Sequence, residues 1–256
     1  MNILAIGDVV GSIGCDFLRS RLPGLKKLKG IDLVIANGEN SADGNGILPA
    51  SADHLFDSGV DVITAGNHTY RRKEIYDYLD RKENIIRPIN FPEGTPGKGI
   101  CIYDMGRIQV AVVNLMGTVF MENLKDPFDT LDEIVKMPDL PKIVMVDFHA
   151  EATGEKRALA FYADGRVSGI FGTHTHVQTA DECLLPKKTA YITDVGMTGV
   201  IDSALGVKPE LVIKKFRSKL PVRFENAKGA CKMDCTLFAI DESTGLAVGV
   251  ERMSIR

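Results

Sequence analysis

Along this chain, short apolar runs repeatedly hand over to polar or glycine-bearing segments. The run at 3–6 ends at Gly7 and Asp8, the run at 31–36 at Asn37, Gly38, Glu39 and Asn40, and the run at 60–65 at Gly66, Asn67 and His68. Further on, 142–146 leads into Asp147, Phe148 and His149, and 167–171 into Gly172, Thr173, His174, Thr175 and His176. Runs this short and this apolar predict buried strands. Helical patterns separate them: Phe17, Leu18, Leu22, Leu25 and Leu28; a short helix at 50–57; Ile75, Tyr78 and Leu79 behind the basic opening Arg71, Arg72, Lys73; and a helix opening at 150–156 and running through Leu159 and Phe161. Strands alternating with helical crossovers predict an α/β fold whose strand ends share one edge, where ligands bind.

The remaining segments are less regular. The polar stretch 41–46 reads as a mobile loop beside that edge, and 85–99, rich in proline and glycine, as a surface connection. A hairpin is expected from 100–103 and 108–115 around Gly106, and mixed helix and loop over 123–141. A strand at 190–194 precedes a glycine-bearing loop at 196–199. A helix at 209–220 and two closing strands, 231–240 and 246–253, finish the pattern around a turn at 241–245. There is no internal repeat, low-complexity tract or composition shift, so 1–256 reads as one domain.

Composition narrows the field. A chain of 256 residues with 45% hydrophobic and 25% charged residues can bury a large core. A net charge of −3 gives no general attraction to nucleic acid or an anionic membrane, so phosphate binding has to be local. No apolar run is long enough to span a bilayer, and 1–7 lacks the basic start of a signal peptide. Five scattered cysteines, with Cys231 and Cys235 spaced C-x3-C, suit buried thiols in a reducing cytoplasm. The glycines at 11 and 14 match neither phosphate-loop pattern and instead let the backbone pass close to an ion or phosphate.

The candidate chemistry lies in the polar handovers. The chain has five histidines: four stand at or just beyond strand ends, and His54 stands alone in a helix as a surface or structural residue. Asp8, Glu39, Asn40, Asn67, His149, His174 and His176 offer carboxylate, imidazole and amide ligands without cysteine, a set suited to zinc, manganese or iron. They are too many for one ion and about right for two, roughly 3.5–4 Å apart, sharing a bridging carboxylate. Such a pair makes hydroxide available at neutral pH and clamps both oxygens of an in-line displacement at phosphorus. His68 directly follows a candidate ligand and has no ligand partner of its own, which places it to stabilise or protonate the departing oxygen. A basic helix start usually marks a solvated face; an arginine at 71 or 72 reaching a substrate phosphate is the functional alternative.

Taken in order, GD at 7–8, an acid after a second strand, GNH at 66–68, His149 and GTHTH at 172–176 resemble the calcineurin-like metallophosphoesterases. GDVVGSIG, NGEN, GNHTY, VDFHAEATGEK, GTHTHVQTADE and YITDVGMTG are closer still to the bacterial YmdB-type branch. The resemblance implies a four-layer αββα sandwich with two mixed sheets and a di-metal phosphodiesterase site, often iron or manganese, acting on 2′,3′-cyclic nucleotides. By motif match, Asp8, Glu39, Asn40 and His176 would hold the first metal and Asn67, His149 and His174 would complete the second. Glu39 would bridge the two and His68 would be the acid. The wider superfamily has histidine where Val10 stands, and Asn40 would supply that ligand; it usually bridges with aspartate, where this chain has Glu39. The branch usually has tryptophan at Tyr70 and serine at Gly154, and the Arg71–Arg72 pair is more basic than it leads one to expect.

Two other classes remain. A (β/α)8 amidohydrolase barrel also uses His-x-His, but on its first strand with the acid on the last, the reverse of the order here. A non-catalytic module would keep the scaffold for an RNA or protein partner, against which the full ligand set and the lack of a general basic patch argue. The expected partner is a small nucleotide or phosphodiester, with self-association into a homo-oligomer left open.

Overall fold

Strands buried on both faces need cover on both faces, and two stacked sheets with a helical layer outside each provide it. The computed structural model describes residues 1–43 and 45–256. Gly44, within the loop expected at 41–46, lies outside the described residues.

The first part of the chain runs β1 (Asn2–Ile6), β2 (Asp8–Val9), α1 (Gly11–Lys29), β3 (Leu33–Asn37), α2 (Pro49–Asp57) and β4 (Val62–Thr64). A 3-10 turn at Lys73–Ile75 leads into α3 (Tyr76–Arg81), then β5 (Ile100–Asp104), β6 (Gln109–Met116), α4 (Pro127–Ile134), β7 (Ile143–His149) and α5 (Thr153–Ala163). The rest is β8 (Gly169–Thr173), β9 (Cys183–Leu184), β10 (Ala190–Ile192), β11 (Met197–Val200), α6 (Pro209–Ser218), β12 (Cys231–Ile240) and β13 (Ala247–Ile255).

One seven-stranded sheet has the order β2-β11-β12-β1-β3-β4, with β13 on the other edge of β12. β1, β3 and β4 are parallel, and β12 runs antiparallel to β1. A six-stranded sheet has the order β5-β6-β7-β8-β10-β9, with β6, β7, β8 and β10 parallel between antiparallel edges. Both sheets are mixed and neither closes, which excludes the (β/α)8 barrel.

Alternation along each strand decides what meets what. In β1, Leu4 and Ile6 face Leu18 and Leu22 of α1, whereas Ile3 and Ala5 face the second sheet with Leu33, Ile35 and Val62. The second sheet sends Val110, Val112, Ile143, Met145 and Phe171 into that central layer. Its outer face gives Val144, Val146, Phe148 and Ile170, packed on Leu131, Leu159 and Ala160 from α4 and α5. Phe171 and Phe238 meet across the layer with ring centroids 6.0 Å apart. The result is a four-layer αββα sandwich.

Several expectations are corrected. The segment at 196–199, expected as a loop, is strand β11, because it gains partners on both sides in β2 and β12. The helix after Arg71 and Arg72 starts as a 3-10 turn and is short. The stretch 123–141 mixes helix and loop as expected, with Asp126 capping α4 by accepting from the backbone N–H groups of Phe128 at 2.8 Å and Asp129 at 3.0 Å. Leu28, counted on the apolar face of α1, is 79% exposed. All five cysteines are free and Cys183 is only half-buried. No helix among the described residues is long and apolar enough to cross a membrane.

Candidate metal centre

The candidate residues do not share one sheet edge as expected; they come from two. Asp8 follows β1, Glu39 and Asn40 follow β3, and Asn67 and His68 follow β4, all in the first sheet. His149 ends β7 and His174 and His176 follow β8, in the second. Strand ends of the two sheets face each other, and the site is the seam between them.

His149 is its centre. The imidazole is fully buried, and its Nε2 lies 3.1 Å from Glu39 Oε1, 2.9 Å from Asn67 Oδ1 and 3.1 Å from His174 Nδ1. The ligand atoms of Glu39, His149 and His174 all lie within 4.8 Å of one another. One ring nitrogen carries at most one hydrogen, so it cannot satisfy three lone-pair-bearing neighbours. Four ligand atoms turned toward one point fit a cation there. A second group lies alongside: His176 Nε2 is 3.6 Å from Asp8 Oδ1, and Asn40 Nδ2 is 3.4 Å from that oxygen and 3.2 Å from His176 Nε2. His68 stands over both groups. Its N–H donates to Glu39 Oε2 at 2.8 Å, and its Nδ1 lies 2.8 Å from Asn40 Oδ1. The structure thus brings all eight candidate residues together, and His54 stands apart on α2 with Nε2 3.5 Å from Asp16.

The local backbone explains the approach. A Cβ on Gly66 would sit 2.3 Å from the His149 ring, so only glycine lets the Asn67–His68 loop close on that imidazole. His174 and His176 both adopt positive φ, 100° and 63°. Such a conformation costs a non-glycine residue on the order of 1–3 kcal/mol and has to be held from outside. The holding groups went unnoticed in the sequence. Buried Lys156 donates to Thr173 O at 2.8 Å and to buried Asp194 Oδ2 at 2.7 Å, and that same carboxylate oxygen accepts from the Thr175 N–H at 3.1 Å. Asp8 Oδ2 accepts the His174 N–H at 3.0 Å.

A second overlooked group sits behind His149. Thr173 Oγ1 donates to Asp147 Oδ1 at 2.6 Å, which leaves its lone pair for His149 Nδ1 at 2.9 Å. Thr64 Oγ1 donates to the other Asp147 oxygen at 2.5 Å. This chain of bonds keeps a proton on Nδ1 and turns the Nε2 lone pair toward Glu39, Asn67 and His174. The signal in the sequence was Asp147 two residues before His149, on the same face of the strand, with Thr173 just before His174. Tyr70 donates to Pro96 O at 2.7 Å, and Arg72 binds the carbonyls of Asp43 and Asn45 at 2.7 and 3.1 Å. Arg72 therefore fastens the loop flanking the site.

Electrostatics agree with a cation at this point. Burial would raise the Asp8 carboxyl, but His176, then His149 and the His174 N–H, hold it far below the usual carboxylate range. Burial opposes ionisation of Glu39 as well, yet His149 and His68 keep it below its ordinary value. Burial should depress His149; Glu39 above all, with Asp8 and Asp147, raises it to about 9 instead. Burial and the neighbouring His149 push His174 down to about 4. Burial also lowers His68, helped by His149 and Arg71 against the pull of Glu39. The carboxylates thus demand positive charge where the four ligand atoms converge.

A family model described as YmdB-like protein matches residues 4–253. The 2′,3′-cyclic-nucleotide 2′-phosphodiesterase of Bacillus subtilis (strain 168) is 49% identical over 256 residues, covering 100% of this chain and 97% of that protein. Among solved structures, a hypothetical protein from Thermus thermophilus superposes with TM-score 0.94 at 41% identity, covering 99% of this chain and 98% of that one. A phosphatase from Mycoplasma pneumoniae superposes with TM-score 0.95 at 34% identity, covering 100% and 93%.

Proposed function

The chain belongs to the YmdB-like protein family, and we propose that it is a metal-dependent phosphodiesterase that hydrolyses 2′,3′-cyclic nucleotides. The observation that carries this reading is the convergence of Glu39, Asn67 and His174 on His149 Nε2, at 2.9–3.1 Å, in a buried site with two ionised carboxylates. The named activity of the Bacillus subtilis relative supplies the substrate class.

In this reading Asn67, His149 and His174 would hold one ion and Asp8, Asn40 and His176 a second, with Glu39 placed where it would serve both. Zinc, manganese or iron suits these donors, and the family resemblance favours iron or manganese. When bound, the pair supplies an activated water and neutralises charge building up on the phosphoryl oxygens.

The chain's own residues do the rest. Asp147 and Thr173 hold His149 with its Nε2 lone pair presented. Lys156 and Asp194 fix the turn that aims His174 and His176. For Asn40 to act as a ligand, its amide must turn its oxygen toward Asp8 and His176. Its NH2 then faces His68 Nδ1, and the His68 proton resides on Nε2. From there it passes to the ribose oxygen as the P–O bond to that oxygen breaks, while water supplies the new oxygen on phosphorus and a nucleoside monophosphate leaves. The free thiols suit work in a reducing cytoplasm.

The test is hydrolysis of 2′,3′-cyclic AMP and of bis-p-nitrophenyl phosphate by chelator-stripped protein, with and without Mn²⁺. Turnover of both, restored by metal, is the expected result. Turnover of the artificial diester alone would keep the chemistry and discard the cyclic nucleotide. No turnover of either with metal bound would refute the enzyme reading and favour a binding module.

A further inference from the structure

The net charge of −3 hides a strongly basic segment. Between Lys208 and Lys228 the chain carries seven lysines and arginines against two glutamates, Glu210 and Glu225. This segment comprises α6 and the stretch after it, and none of the α6 residues is buried. With the loop that carries Asp43 and Asn45, it walls a groove of about 1090 Å³. Lys215, Arg223 and Lys228 line that groove and carry no ion pair among the described residues, whereas Lys208 pairs with Glu225 at 2.6 Å. Phe224, 36% exposed, adds an aromatic surface with the Lys215 ammonium 4.9 Å from its ring centre.

The groove adjoins the metal centre on two sides. Asn226 lies against Gly11, whose N–H donates to Asn40 O at 2.8 Å. On the other side Leu205 O lies 3.1 Å from His176 Nδ1, and the next residue, Gly206, accepts from the Ala227 N–H at 2.8 Å. Residues bonded to Asn40 and His176 therefore pack directly against the residues that wall the groove, so the groove begins one residue layer from the metal centre.

A cyclic mononucleotide fills a pocket of ordinary ligand size, roughly 300–1,000 Å³, and has no further phosphates for a row of cations. A 2′,3′-cyclic phosphate also terminates an RNA strand, and that strand has to leave the site along the surface. Unpaired cations beside an exposed aromatic ring are the features that hold a single strand without reading its sequence. We infer that the substrate is the 2′,3′-cyclic phosphate end of an RNA strand, with the preceding nucleotides lying in the groove formed by Lys215, Arg223, Phe224 and Lys228. This rests on the phosphodiesterase reading and extends it.

The experiment compares kcat/KM for 2′,3′-cyclic AMP and for a short oligoribonucleotide ending in a 2′,3′-cyclic phosphate. Wild type is compared with the triple variant Lys215→Ala, Arg223→Ala, Lys228→Ala. Three phosphate contacts on a single strand give a log–log salt slope of about −2, so raising salt from ~50 to ~200 mM should cut wild-type turnover of the oligonucleotide about twentyfold. The variant should lose both the preference for the oligonucleotide and that salt dependence, with mononucleotide turnover unchanged, which also reports that it folds. Anisotropy of a labelled oligonucleotide ending in a 3′-phosphate, measured on metal-free protein, should weaken in the same variant without any turnover. Equal kcat/KM on both substrates, or an oligonucleotide response unaffected by the variant, would overturn the inference. Loss in the variant of sedimentation with anionic vesicles, with oligonucleotide turnover unaffected, would overturn it in favour of a membrane-facing helix. If wild type hydrolyses neither substrate while still binding the oligonucleotide, the phosphodiesterase reading fails and the substrate assignment fails with it.

Discussion

Thr173→Val removes one hydroxyl and changes almost nothing in shape. In the wild type that hydroxyl stands between Asp147 Oδ1 at 2.6 Å and His149 Nδ1 at 2.9 Å. Without it, the buried Nδ1–H keeps only Asn37 Nδ2 nearby, a donor at 3.4 Å. The imidazole then gains by moving its proton to Nε2, the atom that faces Glu39, Asn67 and His174. Loss of a group orienting a ligating histidine typically costs 10–100-fold in metal affinity, or about 1.4–2.7 kcal/mol. The unsatisfied buried groups cost roughly 1–3 kcal/mol of folding stability as well, which at this size lowers Tm by about 2–12 °C. The assay is Mn²⁺ titration of chelator-stripped protein, following phosphodiester turnover and, separately, metal bound at equilibrium. Half-saturation should move up about 10–100-fold while turnover at saturating metal stays near wild type. Thr173→Ser should restore the affinity. An unchanged half-saturation in a folded Thr173→Val protein, or a serine variant as weak as valine, would refute the reasoning.

Other perturbations separate the remaining roles. Glu39→Gln should abolish turnover and metal-dependent stabilisation together; wild-type turnover in that variant would sink a shared carboxylate. His68→Ala should retain metal and lose about 10²–10⁴-fold in kcat, and metal loss measured by elemental analysis would make His68 a ligand instead. Lys156→Met strands the buried Asp194 carboxylate and should cost about 3–5 kcal/mol in denaturant unfolding; a smaller loss with activity intact would show that the His174–His176 turn holds itself. In metal-free protein, burial of Asp147, outweighing His149, Thr173 and Thr64, raises its carboxyl to about 6, against about 3.9 unfolded. Its stabilising contribution is therefore full below the unfolded value and lost as pH rises through about 6. The stability of Asp147→Asn relative to wild type should accordingly rise between about pH 4 and 7, and a flat difference in Tm across that range would contradict the raised carboxyl.

Periodicity and handover made much of this fold legible. Ile3 to Ile6 and Ile143 to Val146 are apolar at every position because both faces of each strand are covered, and a buried strand announces itself that way. The seven candidate ligands were legible because each lies at or just past the end of such a strand. What the residues alone did not reveal is which sheet each strand joins. That depends on cross-layer contacts such as Phe171 against Phe238, which no local pattern encodes. Met197 to Val200 reads as a loop because Gly196 and Gly199 carry weak strand preference, and two neighbouring strands override it. Asp147, Thr173, Lys156 and Asp194 stood in recognisable motifs, but their work is to bond one another and the backbone from opposite elements, and sequence spacing cannot show that.

The position of β12 has a consequence for synthesis. β1, which leads to Asp8, pairs on one side with β3 and on the other with β12, with Ile6 opposite Cys235. β11, which flanks Asp8 through β2, also leans on β12. During translation the early strand therefore waits with an open edge until almost the whole chain has left the ribosome. The second sheet, with β5 to β10 contiguous in sequence, can assemble before β12 exists, and its His149 and His174 then face a first sheet still missing its central strand. A nascent chain of this kind cannot hydrolyse anything until it is nearly finished, and in that interval the unpaired side of β1 is the place where a chaperone has most to guard.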